Sequence, residues 1–279
     1  MPSNANISDD GSHAMVDSFY TIPGAPFLAH LSDLHNRDYH PVERSLLRHR
    51  PELICVTGDI IYGTMPEDDI SPLVAQPNAL GLLRACADIA PTFVSLGNHE
   101  WMLDEEDLDA MRATGAVVLD NDWVEHDGLA IGGLTSGHVM RHRRALSNLP
   151  GDERGAHRYP ARGGVRDIMK TAAELLMEKL PDDDWLMSFA SAPGHHFLLS
   201  HHPEYRRLVP KEVELILSGH AHGGQWRLFG HGVYAPGQGI WPKLTKGIYD
   251  GRQVVSAGLS NTAPAPRFFN PTQVVYVQS

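Results

Sequence analysis

Five times in 279 residues a short apolar run stops at a small or hydroxyl residue and then at side chains able to bind a metal. FLAHLSDLH ends at Asp33 and His35, LICVTGD at Asp59, TFVSLGNHE at Asn98 and His99, HFLLSHHPE at His201 and His202, and VELILSGHAH at His220 and His222. Apolar runs of about five residues bounded by Gly, Ser or Thr read as buried strands. The stretches between them, PVERSLLRHR and NALGLLRACADIA, carry leucines at helical spacing. Strand–helix–strand alternation predicts a largely parallel sheet covered by helices. Ligands of such sheets sit beyond the carboxyl ends of the strands, so the five polar clusters are expected at one edge.

The chemistry follows from residue type and spacing. In extended backbone, residues two apart point to the same side with Cα atoms about 6.5–7 Å apart, so Asp33 and His35 can close on one ion. His220 and His222 have the same spacing and reach one ion or two ions about 3.5–4 Å apart. Asp59 is the remaining carboxylate at a strand end, Asn98 offers a carbonyl oxygen, and His201 or His202 adds an imidazole. Carboxylate, imidazole and amide without thiolate suit Mn, Fe, Zn or Co. A lone D-x-H is common and a lone G-H near a turn is loop chemistry; five clusters in succession are the signal. His30, inside the first run, reads as a packing histidine, and His13, His40, His49 and His126 as solvated surface residues.

Composition narrows the function classes. Lys and Arg number 23 against 34 Asp and Glu, a net charge of −11, which speaks against a general nucleic-acid or anionic-surface binder. Cys55 and Cys86 lie in apolar stretches and read as core thiols of a reducing, cytoplasmic setting. No stretch reaches the roughly 18 apolar residues that span a bilayer. Residues 1–20 read as a tail, with a GSHAM run of the kind an expression tag leaves behind. Residues 21–279 read as one domain with an excursion at about 135–195. Within it, residues 140–166 carry seven arginines and little apolar pattern, hence a loop, before a helix at DIMKTAAELLMEKL. The arginines at 141, 143, 144, 154, 158, 162 and 166 are a solvated surface or a cap for an anionic substrate group. Trp101 reads as packing rather than stacking on a leaving group. Asp250-Gly251 between apolar runs signals a hairpin, and QVVYVQ a closing strand.

SDLH, TGDI, GNHE, SHHPE and SGHAHGGQ, in this order, resemble the calcineurin-like metallophosphoesterase superfamily. The ending GHAHGGQ, followed by GLSNTAPAPRFFNPTQVVYV, is similar to the bacterial YkuE/YaeI-type phosphodiesterase branch. The resemblance covers most of residues 27–134 and 196–277. It implies an α/β fold, a four-layer α/β sandwich with mixed sheets flanked by helices. It also implies two divalent metal ions: Asp33, His35 and His222 on the first, Asn98, His201 and His220 on the second, and Asp59 bridging. His201 rather than His202 follows from the H-x-P pattern matched by His201-His202-Pro203. His99 is implied as the general acid or the group stabilising the leaving oxygen. The implied activity is hydrolysis of a phosphodiester or phosphomonoester in a small phosphorylated substrate, through attack by hydroxide held between the metals. Ala221 departs from the hydroxyl residue frequent at its position, and the export or membrane segment common in the branch is not seen. A nuclease would use the same ligands but needs a basic track that only residues 141–166 could supply. A catalytically silent binding module would lack ligands, and every position here is filled.

Overall fold

The computed structural model describes residues 15–63, 71–147, 181–263 and 266–279. Strands β1 (Val16–Thr21), β2 (Leu28–Leu31), β3 (Leu53–Val56), β4 (Thr92–Ser95), β5 (Val117–Leu119) and β16 (Gln273–Gln278) form one six-stranded sheet in the order β1-β16-β2-β3-β4-β5. A second contains β6 (Asp122–His126), β7 (Leu129–Leu134), β8 (His195–Ser200), β9 (Leu215–Ser218), β14 (Gly247–Tyr249) and β15 (Gln253–Val255), in the order β14-β15-β9-β8-β7-β6. Two small hairpins, β10 (Arg227–Leu228) with β11 (His231–Gly232) and β12 (Tyr234–Ala235) with β13 (Gly239–Ile240), lie between β9 and β14 in the chain. β2 to β5 run parallel, as do β7, β8, β9 and β15, while β6, β14 and the β16–β2 pair are antiparallel. The sheets are therefore mixed, as expected.

Alternation along each strand sorts side chains into layers. In β2 and β3, Leu28, Leu53 and Cys55 face Phe197, Leu199, Leu215 and Leu217 of the second sheet. Ala29, Leu31, Ile54 and Val56 face the other way, onto α1 (His40–His49), α2 (Pro77–Ile89) and α3 (Glu105–Arg112). The outer face of the second sheet packs Leu198 and Ile216 against Leu186 and Phe189 of α5 (Leu186–Ala190). Three apolar interlayers between helices, two sheets and helix make the four-layer sandwich.

Local chemistry explains the element ends. α1 and α2 each place a proline in the first turn, where its missing N–H costs nothing. Asp104 caps α3 and forms a reciprocal capping box with Asp107. The Asp250-Gly251 hairpin is present, with φ of 49° and 68°, the mirror-image turn that a right-twisted ribbon favours. Cys55 and Cys86 are buried free thiols.

Several expectations are corrected. β1 pairs with β16 from Val16 onward, so the sheet begins inside the stretch read as a tail. Residues 140–147, read as loop, belong to α4 (Gly137–Ser147). That helix lacks an apolar stripe in sequence and is held by the rings of His138 and His142 against Trp101, at 6.2 and 4.7 Å between centroids. Trp101 accordingly packs. Arg143 is engaged by Asp120 at 2.5 Å, and Arg144 lies 3.1 Å from Asp182. His49 is tied to Asp17 at 3.0 Å and stands edge-on to Phe19, so it is not a solvated residue. The arginines at 154, 158, 162 and 166 and the DIMKTAAELLMEKL helix lie outside the described residues. Among the described residues, no helix is long and apolar enough to cross a membrane.

Candidate metal centre

Each of the five buried strands β2, β3, β4, β8 and β9 delivers its polar cluster within four residues of its carboxyl end. The backbone there is unusual. Asp33, His35, Asp59, His220 and His222 all have positive φ, between 46° and 62°. Non-glycine residues rarely take this conformation, and it costs on the order of 1–3 kcal/mol at each position. Glycine permits the closest approaches. A Cβ on Gly97 would lie 2.3 Å from Asp59 Oδ1, so the loop after β4 can press against that carboxylate only without a side chain.

Both carboxylates are wired alike. One oxygen of Asp33 accepts from the His220 backbone N–H at 3.2 Å; the other faces Nε2 of His222 at 3.4 Å, of His35 at 3.8 Å and of His201 at 4.0 Å. Asp59 Oδ1 accepts from the His99 backbone N–H at 2.8 Å, while Oδ2 faces Nε2 of His201 at 3.0 Å, of His99 at 3.7 Å and of His35 at 3.9 Å. Asp33, His35 and His222 thus form one group able to hold an ion, Asp59, His201 and His220 a second, and His35, Asp59 and His99 a third that joins them. Asn98 lies at the mouth of the turn His99–Met102, with its Oδ1 buried and without a hydrogen-bond partner.

The adjacent histidines separate by environment. His201 donates from Nδ1 to the Thr57 carbonyl at 2.6 Å, which leaves Nε2 turned to Asp59. His202 instead bonds Ser136 through Nε2 at 2.9 Å and packs tilted against Tyr205, 4.7 Å between centroids. Of the two, His201 is the one brought to the carboxylates. His30 bonds Thr57 Oγ1 at 2.9 Å inside β2, the packing role expected of it.

The donors fit divalent cations. Asn98 Oδ1 and both ring nitrogens of His35 are buried and have no hydrogen-bond partner, while Asp33 Oδ1 and Asp59 Oδ2 are each faced by imidazole nitrogens. Unpaired buried acceptors are costly, and an oxygen–nitrogen set of this kind answers to borderline metal ions. Electrostatics agree. Burial works against ionised Asp33 and Asp59, yet the facing histidines hold both carboxyls well below the usual range. Burial likewise opposes a charged His201, but Asp59 outweighs it and raises the imidazole to about 10. A metal must displace that proton, so uptake releases protons and weakens at low pH.

Two residues that shape the site were not singled out in the sequence. Glu100 is fully buried and accepts from the backbone N–H groups of Asp59, Ile60 and Gly97 at 2.8, 2.9 and 2.8 Å. It clamps the loop after β3 to the loop after β4. Burial, and then the charge of Asp59, push it up to about 7. Its only signal is its place in the run GNHE. Arg267, also buried, donates to the Ala257 carbonyl at 2.6 Å and contacts His222 Nδ1 at 2.9 Å. A guanidinium can only donate, so at this distance Nδ1 offers its lone pair and Nε2 carries the proton facing Asp33.

A pH dependence follows for the metal-free chain. Burial depresses His30, His220 and His222 to about 3 and His99 to about 4. Between about pH 4 and 6.5 the unfolded chain holds protons on these rings that the folded chain refuses, so stability falls as pH falls. Glu100 and His201, raised in the fold, act in the opposite sense, two groups against these four and the likewise depressed His138 and His202. Stripped of metal, the protein is expected to melt at a lower temperature at pH 5 than at pH 7, by scanning calorimetry. An equal or higher melting temperature at pH 5 contradicts the buried neutral imidazoles.

A four-layer α/β sandwich with an Asp/His cluster at the carboxyl ends of its central strands defines the metallophosphoesterase class. Residues 28–224 match the calcineurin-like phosphoesterase family, and the chain belongs to it. An uncharacterised metallophosphoesterase of Aquifex aeolicus is 26% identical over 246 residues, 85% of this chain and 76% of that protein. Another, from Campylobacter jejuni, is 26% identical over 238 residues, 81% of this chain and half of that protein. A dimetal phosphatase from Danio rerio is similar in structure at 13% identity, with a TM-score of 0.45 over 86% of this chain and 90% of that one.

Proposed function

We propose that the chain is a phosphohydrolase with two divalent metal ions, acting on a small phosphodiester or phosphomonoester, with the diester favoured by likeness to the YkuE/YaeI-type branch. The observation that carries this reading is the pair of ligand groups, Asp33–His35–His222 and Asp59–His201–His220, linked through Asp59 and His35. Asp33, His35 and His222 would hold one ion; Asn98, His201 and His220 the other; Asp59 would lie between them. When bound, the ions supply Lewis acidity that polarises the phosphoryl group and acidifies water. Mn, Fe, Zn or Co suits the donors, manganese being the one to try first. Buried free thiols at Cys55 and Cys86 support a reducing, cytoplasmic setting.

The chain's own part is orientation and proton placement. Thr57 fixes the ring of His201, Glu100 fixes the loops carrying Asp59 and Asn98, and the carboxylates stay ionised. His99 accepts the Gly63 backbone N–H at Nδ1, 2.7 Å away, so a neutral ring carries its proton on Nε2, toward the cluster. With burial holding it at about 4, His99 is neutral near pH 7. This supports a hydrogen-bond donor to the leaving oxygen in preference to an imidazolium acid. His99→Ala is expected to lower kcat by about 10²–10⁴ with alkyl leaving groups and much less with nitrophenolate, with metal content unchanged. Equal losses on both substrates refute the role. The nuclease reading gains nothing from Arg143, which Asp120 neutralises.

The decisive experiment is purification in Mn²⁺, metal analysis, and assay of nitrophenyl mono- and diesters beside nucleotides. A metal content below about one ion per chain when replete overturns the two-metal reading.

A further inference from the structure

Seven of the thirteen large apolar side chains exposed among the described residues fall in three short segments, 228–229, 234–241 and 268–269. Phe229 is fully exposed, Phe269 is 80%, Ile240 73% and Trp241 63% exposed. These segments are one unit. The Arg227 N–H donates to the Phe268 carbonyl at 3.0 Å, Val233 N–H to the Trp226 carbonyl at 2.9 Å, and Trp241 N–H to the Val233 carbonyl at 3.0 Å. The unit borders the metal centre: it continues directly from His222–Gly224, and a Cβ on Gly237 would lie 3.6 Å from His220 Nε2.

Charge singles out the same stretch. From 225 to 250 the chain has three cationic residues, the exposed Lys243 and the half-buried Arg227 and Lys246, and one acid, Asp250, in a protein of net charge −11. That acid is already paired with Arg206. Aromatic and branched side chains at hairpin tips, amid positive charge, match the interface of an anionic bilayer, where rings sit at headgroup depth and cations meet lipid phosphates. Two copies of this face meeting about a two-fold axis would set like charges against each other.

We propose that the surface built by residues 226–241 and 266–269 docks the protein on an anionic lipid membrane, with the metal centre opening beside the contact. Docking is peripheral, through the tips carrying Phe229, Ile240, Trp241 and Phe269, with Lys243 at the lipid phosphates. The inference does not require catalysis.

The test is co-sedimentation of the full chain with vesicles of phosphatidylcholine alone and of phosphatidylcholine mixed with phosphatidylglycerol, alongside size-exclusion chromatography with light scattering. The wild type is expected to pellet with the anionic vesicles, to be released by added salt, and to remain in solution with phosphatidylcholine alone. The double variant Phe229→Ser, Trp241→Ser is expected to lose about tenfold or more of the partitioning. Lys243→Glu is expected to weaken it and flatten its salt dependence, and both variants should keep the wild-type melting curve. Absence of pelleting with anionic vesicles overturns the proposal, as does a double variant that binds like the wild type. A concentration-dependent dimer abolished by the double variant also overturns it, by assigning the surface to a second copy of the chain.

Discussion

Asp59→Asn is expected to cost more activity than any outer-layer substitution, well beyond the roughly 10–100-fold typical of residues that only orient ligands. The variant should fold, because the amide oxygen can still accept the His99 N–H that Oδ1 now takes at 2.8 Å. What disappears is the charge of Oδ2, faced by His201, His99 and His35 within 4 Å. Metal analysis of the replete variant should show the stoichiometry reduced. A second readout needs no turnover: Asp59 is the foremost group raising His201, so its imidazole should titrate at lower pH in metal-free Asp59→Asn, by NMR. Full activity with unchanged metal content would remove Asp59 from the role assigned to it.

Glu100→Ala should have the largest effect on stability. Three backbone N–H groups lose a buried acceptor, each worth about 1–3 kcal/mol when left unpaired. Loss of a charge that burial disfavours offsets part of this. A net loss of about 3 kcal/mol would lower Tm by on the order of 10 °C for a chain of this size. Because the clamped loops carry Asp59 and Asn98, metal affinity should fall together with Tm. Glu100→Gln keeps one acceptor oxygen and should lie between. A Tm for Glu100→Ala within about 2 °C of wild type would show that other groups hold these loops.

Much of the sandwich and the polar edge was legible because both are local in sequence. An apolar run specifies a buried strand, and the residues just beyond it are carried to the sheet edge. The choice between His201 and His202 was not local: it depends on the Thr57 carbonyl on one side and Ser136 on the other, more than 60 residues away in each case. Glu100 and Arg267 were missed for the same reason. Their partners are mostly backbone atoms of folded loops, to which side-chain patterns do not point. The reading of 140–147 as loop failed because α4 is stabilised by ring packing on Trp101 rather than by its own periodicity. The exposed aromatic tips belong to two-residue strands whose pairing is set by the loop around His222, and periodicity says little over such lengths.

The left-handed backbone at Asp33, His35, Asp59, His220 and His222 bears on the mutational history open to such a chain. At each of these positions glycine would relax the conformation, so the substitutions that would remove the proposed metal ligands are also those the backbone would welcome. A duplicate gene freed from catalysis would drift toward glycine at these sites while its product kept its fold.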